Sequence, residues 1–152
     1  MTRTRGLATA GMLVGAALGA AGGPAEAGAQ GWREQISRQI NSSMIASARR
    51  EGYGDAGGPL YDLVASGSRR SLRIPLAAGQ SYRVIAQCDN DCSDVDFKLY
   101  DENDNLISED SARDDVPLVS VTPRRSAPFR LEVTMASCST RQCGWGVAIV
   151  AK

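Results

Sequence analysis

Four carboxylates, Asp89, Asp91, Asp94 and Asp96, fall within eight residues of chain, and Cys88 and Cys92 bracket the first two. No base follows until Lys98. Carboxylates at that density repel one another unless water or a cation neutralises them, and hard cations such as calcium draw several oxygen ligands from loops of this kind. The expectation is a calcium site built from Asp89, Asp91, Asp94 and Asp96, with Asp101 or Asp104 as helpers. The plainer alternative is that these acids are solvated turn residues that keep the protein soluble. The spacing is not that of an EF-hand. Counted from Asp89, Asp94 stands where that loop needs glycine and Tyr100 where it needs glutamate.

Catalysis has little to work with. The chain contains no histidine, which removes the Ser-His and Cys-His nucleophile pairs and every zinc site that uses imidazole. Asp94 with Asp96, or Asp114 with Asp115, could in principle hydrolyse a glycoside, but neighbouring acids in a turn do not by themselves flank a sugar ring. Neither a phosphate-binding loop nor a dinucleotide fingerprint is present. The chain carries 17 bases and 17 acids, so it has no general attraction to nucleic acid. These features point to a non-catalytic binding or accessory module for a protein or polymer ligand, with a small carboxylate-dependent secreted hydrolase as the alternative.

The acidic loop joins two strand-like runs. Tyr82, Val84, Ala86 and Cys88 alternate on one side, and Val95, Phe97 and Leu99 on the other. Further runs of the same period occur at Leu72 to Leu76, Leu118 to Val121, Phe129 to Met135 and Trp145 to Ala151, with a short one at Leu106 and Ile107. Such spacing predicts an antiparallel, jelly-roll-like β-sandwich over residues 60–152. Its core is expected to hold Leu72, Ile74, Tyr82, Val84, Phe97, Leu99, Val119, Val121, Leu131, Val133, Val147 and Ile149. Ahead of it, Trp32, Ile36, Ile40, Met44 and Ala48 recur every four residues, with Ile45 beside them, which predicts one amphipathic helix over 30–51. That stripe should dock on the following domain or on a second copy of the chain. Residues 52–59, rich in glycine, read as a flexible joint.

Residues 1–29 read as an export signal: Arg3 and Arg5, then an apolar run from Leu7 to Ala21, then small residues offering cleavage after Ala27 or Ala29. The run is shorter than the ~20 residues of a spanning helix. Periplasmic or secreted location follows, and with it an oxidising environment. Four cysteines there favour two disulfides over zinc, whose usual ribbon spacings are tighter than those found here. Three connectivities are open. The short polar turns inside each pair favour Cys88 with Cys92 and Cys138 with Cys143.

From Ser71 to Lys152 the order of motifs resembles the bacterial pre-peptidase C-terminal domain. The matching features are a G-x-x-Y-x-V strand at Gly79 to Val84, then S-D-V-D-F-K-L-Y-D at Ser93 to Asp101, a D-x-N-x-N turn, F-R-L-E-V at Phe129 to Val133, and a closing G-W-G-V-A-I at Gly144 to Ile149. Asp94 and Asp96 match the family's Asp-x-Asp, and Phe129 with Trp145 its late aromatic strand. The resemblance implies a jelly-roll-like sandwich of the kind attached to secreted peptidases and other exported enzymes. Some members of that family bind calcium or polymers such as collagen.

Overall fold

The structure, a computed structural model, describes residues 24–152, with side chains from residue 31 onward. Most of the expected export signal therefore lies outside the described residues; both cleavage points fall within the first helix. The chain runs through helix α1 (Pro24–Gln39), a π-helical turn (Ile40–Ile45) and helix α2 (Ala46–Arg50). Eight strands follow: β1 (Gly54–Val64), β2 (Arg69–Leu76), β3 (Tyr82–Cys88), β4 (Cys92–Tyr100), β5 (Leu106–Asp110), β6 (Leu118–Val121), β7 (Ala127–Cys138) and β8 (Cys143–Ala151). Among the described residues no helix is long and apolar enough to cross a membrane.

The strands form two four-stranded sheets, ordered β1-β8-β3-β6 and β2-β7-β4-β5, and every pairing is antiparallel. β1 lies against β8, β2 against β7, β3 against β6 and β4 against β5, as in a ribbon folded back on itself and rolled up. That is the double-sheet jelly roll. Alternate residues of each strand point between the sheets. Ile74, Val84, Phe97, Leu99, Leu131, Val133, Trp145 and Val147 fill that space with almost no exposure, while Leu72 and Val121, also expected there, are only partly covered.

The stretch expected to be a flexible joint is strand instead. From Gly54 it runs hydrogen-bonded along β8, with irregularities between Asp55 and Leu60. Its glycines permit close approach rather than flexing. A side chain on Gly58 would put its Cβ 2.5 Å from the Val147 carbonyl oxygen.

The helical segment packs on the outer face of the first sheet, where Ile36, Ile40, Ile45 and Ala48 meet Ile85, Ala148 and Val150. The predicted stripe holds at Ile36, Ile40 and Ala48 and shifts by one residue between the last two. Ile45, not Met44, is buried after Ile40, because the π-helical turn inserts an extra residue and resets the face. Since this stripe is covered by the chain's own sheet, it is not available for the self-association expected through the Trp32 to Ala48 helix. Burying Ile36 and Ile40 completely stabilises the docking by about 1.5–3 kcal/mol each. The outward positions of β8 fit the helix in graded sizes: Gly144 under Trp32, Gly146 under Ile36, then Ala148 and Val150.

Candidate functional site

Both disulfides close as expected, Cys88–Cys92 with Cα atoms 5.9 Å apart and Cys138–Cys143 with Cα atoms 5.8 Å apart. Cys92 and Cys138 are register partners, so the two stapled turns lie side by side at one end of the sandwich. Ser139 binds them together, donating both its backbone N–H and its hydroxyl to the Asp91 carbonyl at 2.8 Å. Such closed pairs, with no free cysteine among the described residues, fit an exported periplasmic or secreted protein.

Asp89 is the centre of this joint. Its Oδ2 accepts from Gly144 N–H at 2.6 Å and its Oδ1 from Asp91 N–H at 3.3 Å, while its own N–H donates to the Gly144 carbonyl at 3.0 Å. The residue is 7% exposed. Burial holds its carboxyl above the usual carboxylate range, opposed by these backbone hydrogen bonds. Asp89 is thus a structural acceptor that fastens the β3 end to the β8 start.

Asp91 stays beside Asp89, while the remaining acids expected to share a cation site with it are placed elsewhere. Asp94 and Asp96 alternate with core-facing Val95 and Phe97 and so project from the outer face of β4. Asp101 receives three donors from Asn103 and Asn105 in its own turn, and Asp104 pairs with Arg130 at 2.8 Å. Among the described residues, no three His, Cys, Asp or Glu side chains come together as a metal site. Asp91 acts on Asp89 and Asp94 on Asp96, so the acids the loop lists in a row fall into two pairs, one at the β3–β8 joint and one on β4.

Asp96 carries a different signature. Its carboxyl is held above the usual range first by burial and then by the charges of Asp94 and Asp110. A carboxyl raised in the folded state contributes stability below its unfolded pKa, and that contribution is lost as pH rises through the folded value. Asp96→Asn should therefore gain stability relative to the parent as pH climbs just above the ordinary carboxylate range. Urea unfolding at a series of pH values measures this; a difference that does not change with pH would refute it.

The larger surface feature is the outer face of the second sheet. The helical segment covers the first sheet, and among the described residues no element covers this one. Cross-strand register lines up Arg73, Arg130 and Tyr100 in one row, Ser71, Glu132, Lys98 and Glu109 in the next, and Arg69, Thr134 and Asp96 in a third. The Arg130 guanidinium lies 3.8 Å over the Tyr100 ring, its Nε donates to Asp104 at 2.8 Å, and its Nη1 sits 3.7 Å from Glu132. The Asp104 hydrogen bond is the main cause that raises its pKa further. Arg130 and Glu132 side chains are only 23% and 17% exposed, so this charged row is held by packing as well as by ion pairing. The sequence expectations did not include this row, in which Arg73 and Arg130 share a face with Tyr100. The signal was present in the outward positions of the same alternating runs that identified the core.

No known protein-family profile matches the chain, and no curated protein does. Solved structures do, among them PliG of Aeromonas hydrophila, a periplasmic lysozyme inhibitor of g-type lysozyme. The identity is 14%, the TM-score 0.48, and the match covers 65% of this chain and 89% of that one.

Proposed function

We propose that the protein is an exported, non-catalytic module that binds a protein or polymer through the open face of its second sheet. The observation that carries this is the row Arg73, Arg130 and Tyr100 beside Glu132 and Lys98, left uncovered among the described residues while the opposite sheet is covered by the chain's own helical segment. Arginine and tyrosine preformed in fixed rotamers are the side chains that dominate binding energy in protein interfaces, because little freedom is lost when a partner arrives. The eight-stranded jelly roll supports the resemblance to pre-peptidase C-terminal domains, whose members are accessory to exported enzymes.

A photo-crosslinking residue placed at Arg73 or Lys98 should trap a defined partner in the native periplasm or culture fluid. The same residue at Glu34, on the exposed side of α1, should trap none. Equal products from the two faces would overturn the assignment. The raised carboxyl of Asp96 beside Asp94 favours a second reading, a carboxylate-dependent hydrolase. On that reading the double change to Asn abolishes turnover; in a binding module it leaves a folded protein with weakened binding.

A further inference from the structure

Sandwich edges expose unpaired backbone groups, and folded proteins blunt them with proline, bulges, charge or shortness. Three of the four edges here are blunted. β1 has Pro59 and register shifts, β2 has Pro75 with Arg69, Arg70 and Arg73, and β6 is four residues long between Pro117 and Pro123. β5 is protected over only half its length, by Glu109 and Asp110. Its other half presents Leu106 and Ile107 at 48% and 41% exposure.

The seam where β5 faces β6 across the sandwich is also closed at one end only. Asp110 Oδ2 accepts from Leu118 N–H at 3.0 Å and pins the protected end. At the other end a cavity of about 350 Å³ opens beside Ile107, with Val121, Pro123 and Phe129 lining it and Arg124 and Arg125 among its walls. Arg125 is paired with Glu102 at 2.8 Å, whereas Arg124 and Glu109 have no ion-pair partner among the described residues.

We infer that the open half of the β5 edge receives an extended segment of a protein partner, which adds as a strand beside β5, seats one apolar side chain in the cavity and brings a carboxylate to Arg124. Main-chain hydrogen bonds to the free edge supply affinity in this mode, and the pocket for an alternate side chain supplies selectivity. Charge sets the direction. An acid at the Arg124 end and a base at the Glu109 end match the edge, and the reversed order does not. This rests on the chain being a binding module but uses a different surface, so cross-linking at Arg73 and Lys98 can fail while the seam holds, and the reverse.

The test is to pan a displayed library of random peptides against the full chain and against its Ile107→Glu and Arg124→Glu variants. Enriched peptides should carry an apolar residue flanked by an acid. In fluorescence anisotropy their affinity should fall about tenfold or more with Ile107→Glu. Bound peptide should protect amides of residues 106–109 from exchange. Enrichment that is equal on Ile107→Glu, or protection at another strand, overturns the inference. A concentration-dependent dimer that dissolves in Ile107→Glu would assign the edge to a second copy and overturn it too.

Discussion

Gly146→Val should lift the amino-terminal helix off the sandwich. A Cβ at Gly146 would stand 2.7 Å from Ile36 Cγ2 and 2.8 Å from Tyr61 Cε1, and Ile36 has no exposed surface through which to retreat. Overpacking of this kind typically costs 1–3 kcal/mol, and the docked helix contributes about that much through Ile36 alone. Hydrogen exchange should quicken across residues 36–48 while β4 and β7 amides keep their protection. Trp32, edge-on to Tyr61 at 6.1 Å between centroids, should become more exposed and its emission shift to the red. Unchanged exchange in the helix would show that β8 gives way instead and refute the expectation.

Asp89→Ala should be the most damaging change at the disulfide end. It leaves the Gly144 N–H buried without its carboxylate acceptor, and the Asp91 N–H loses its side-chain partner as well. Loss of a buried hydrogen bond to a charged group costs about 2–3 kcal/mol. Denaturant unfolding with the disulfides intact should show that drop, and Asp89→Asn, which keeps one acceptor oxygen, a smaller one. A midpoint unmoved by Asp89→Ala would mean that the two cysteine-closed turns hold together without it.

The jelly roll was legible because its strands are half-buried and alternate cleanly. Phe129, Leu131, Val133 and Met135 announce β7, and all four are buried in the core. β1 was not legible. Its glycines mimic a linker, and only the close approach of Gly58 to Val147 explains why they belong in a sheet. The helix was visible from its period with Ile45 beside the stripe, but that Ile45 rather than Met44 would be the buried one was not, since a one-residue slip is decided by the surface beneath. Short-range pairing of the cysteines could be inferred from the turns they enclose. The function of Asp89 could not, because its partner Gly144 lies 55 residues away. The platform around Arg130 was legible only in part: its outward positions follow from the alternating runs, but Tyr100 and Arg130 become neighbours only when β4 meets β7.

β8 sits between β1 and β3, and its outward face is the floor on which the helix rests. A nascent chain that has not yet delivered β8 has β1 without a neighbour, β3 paired only to β6, and Ile36 and Ile40 without the Ala148 and Val150 side of their cover. Completion of the fold therefore waits on contacts of long sequence separation such as Gly54 with Ala151, which makes for slow acquisition of structure. For the exported module proposed above, the order of the strands keeps the chain open until late in its own synthesis.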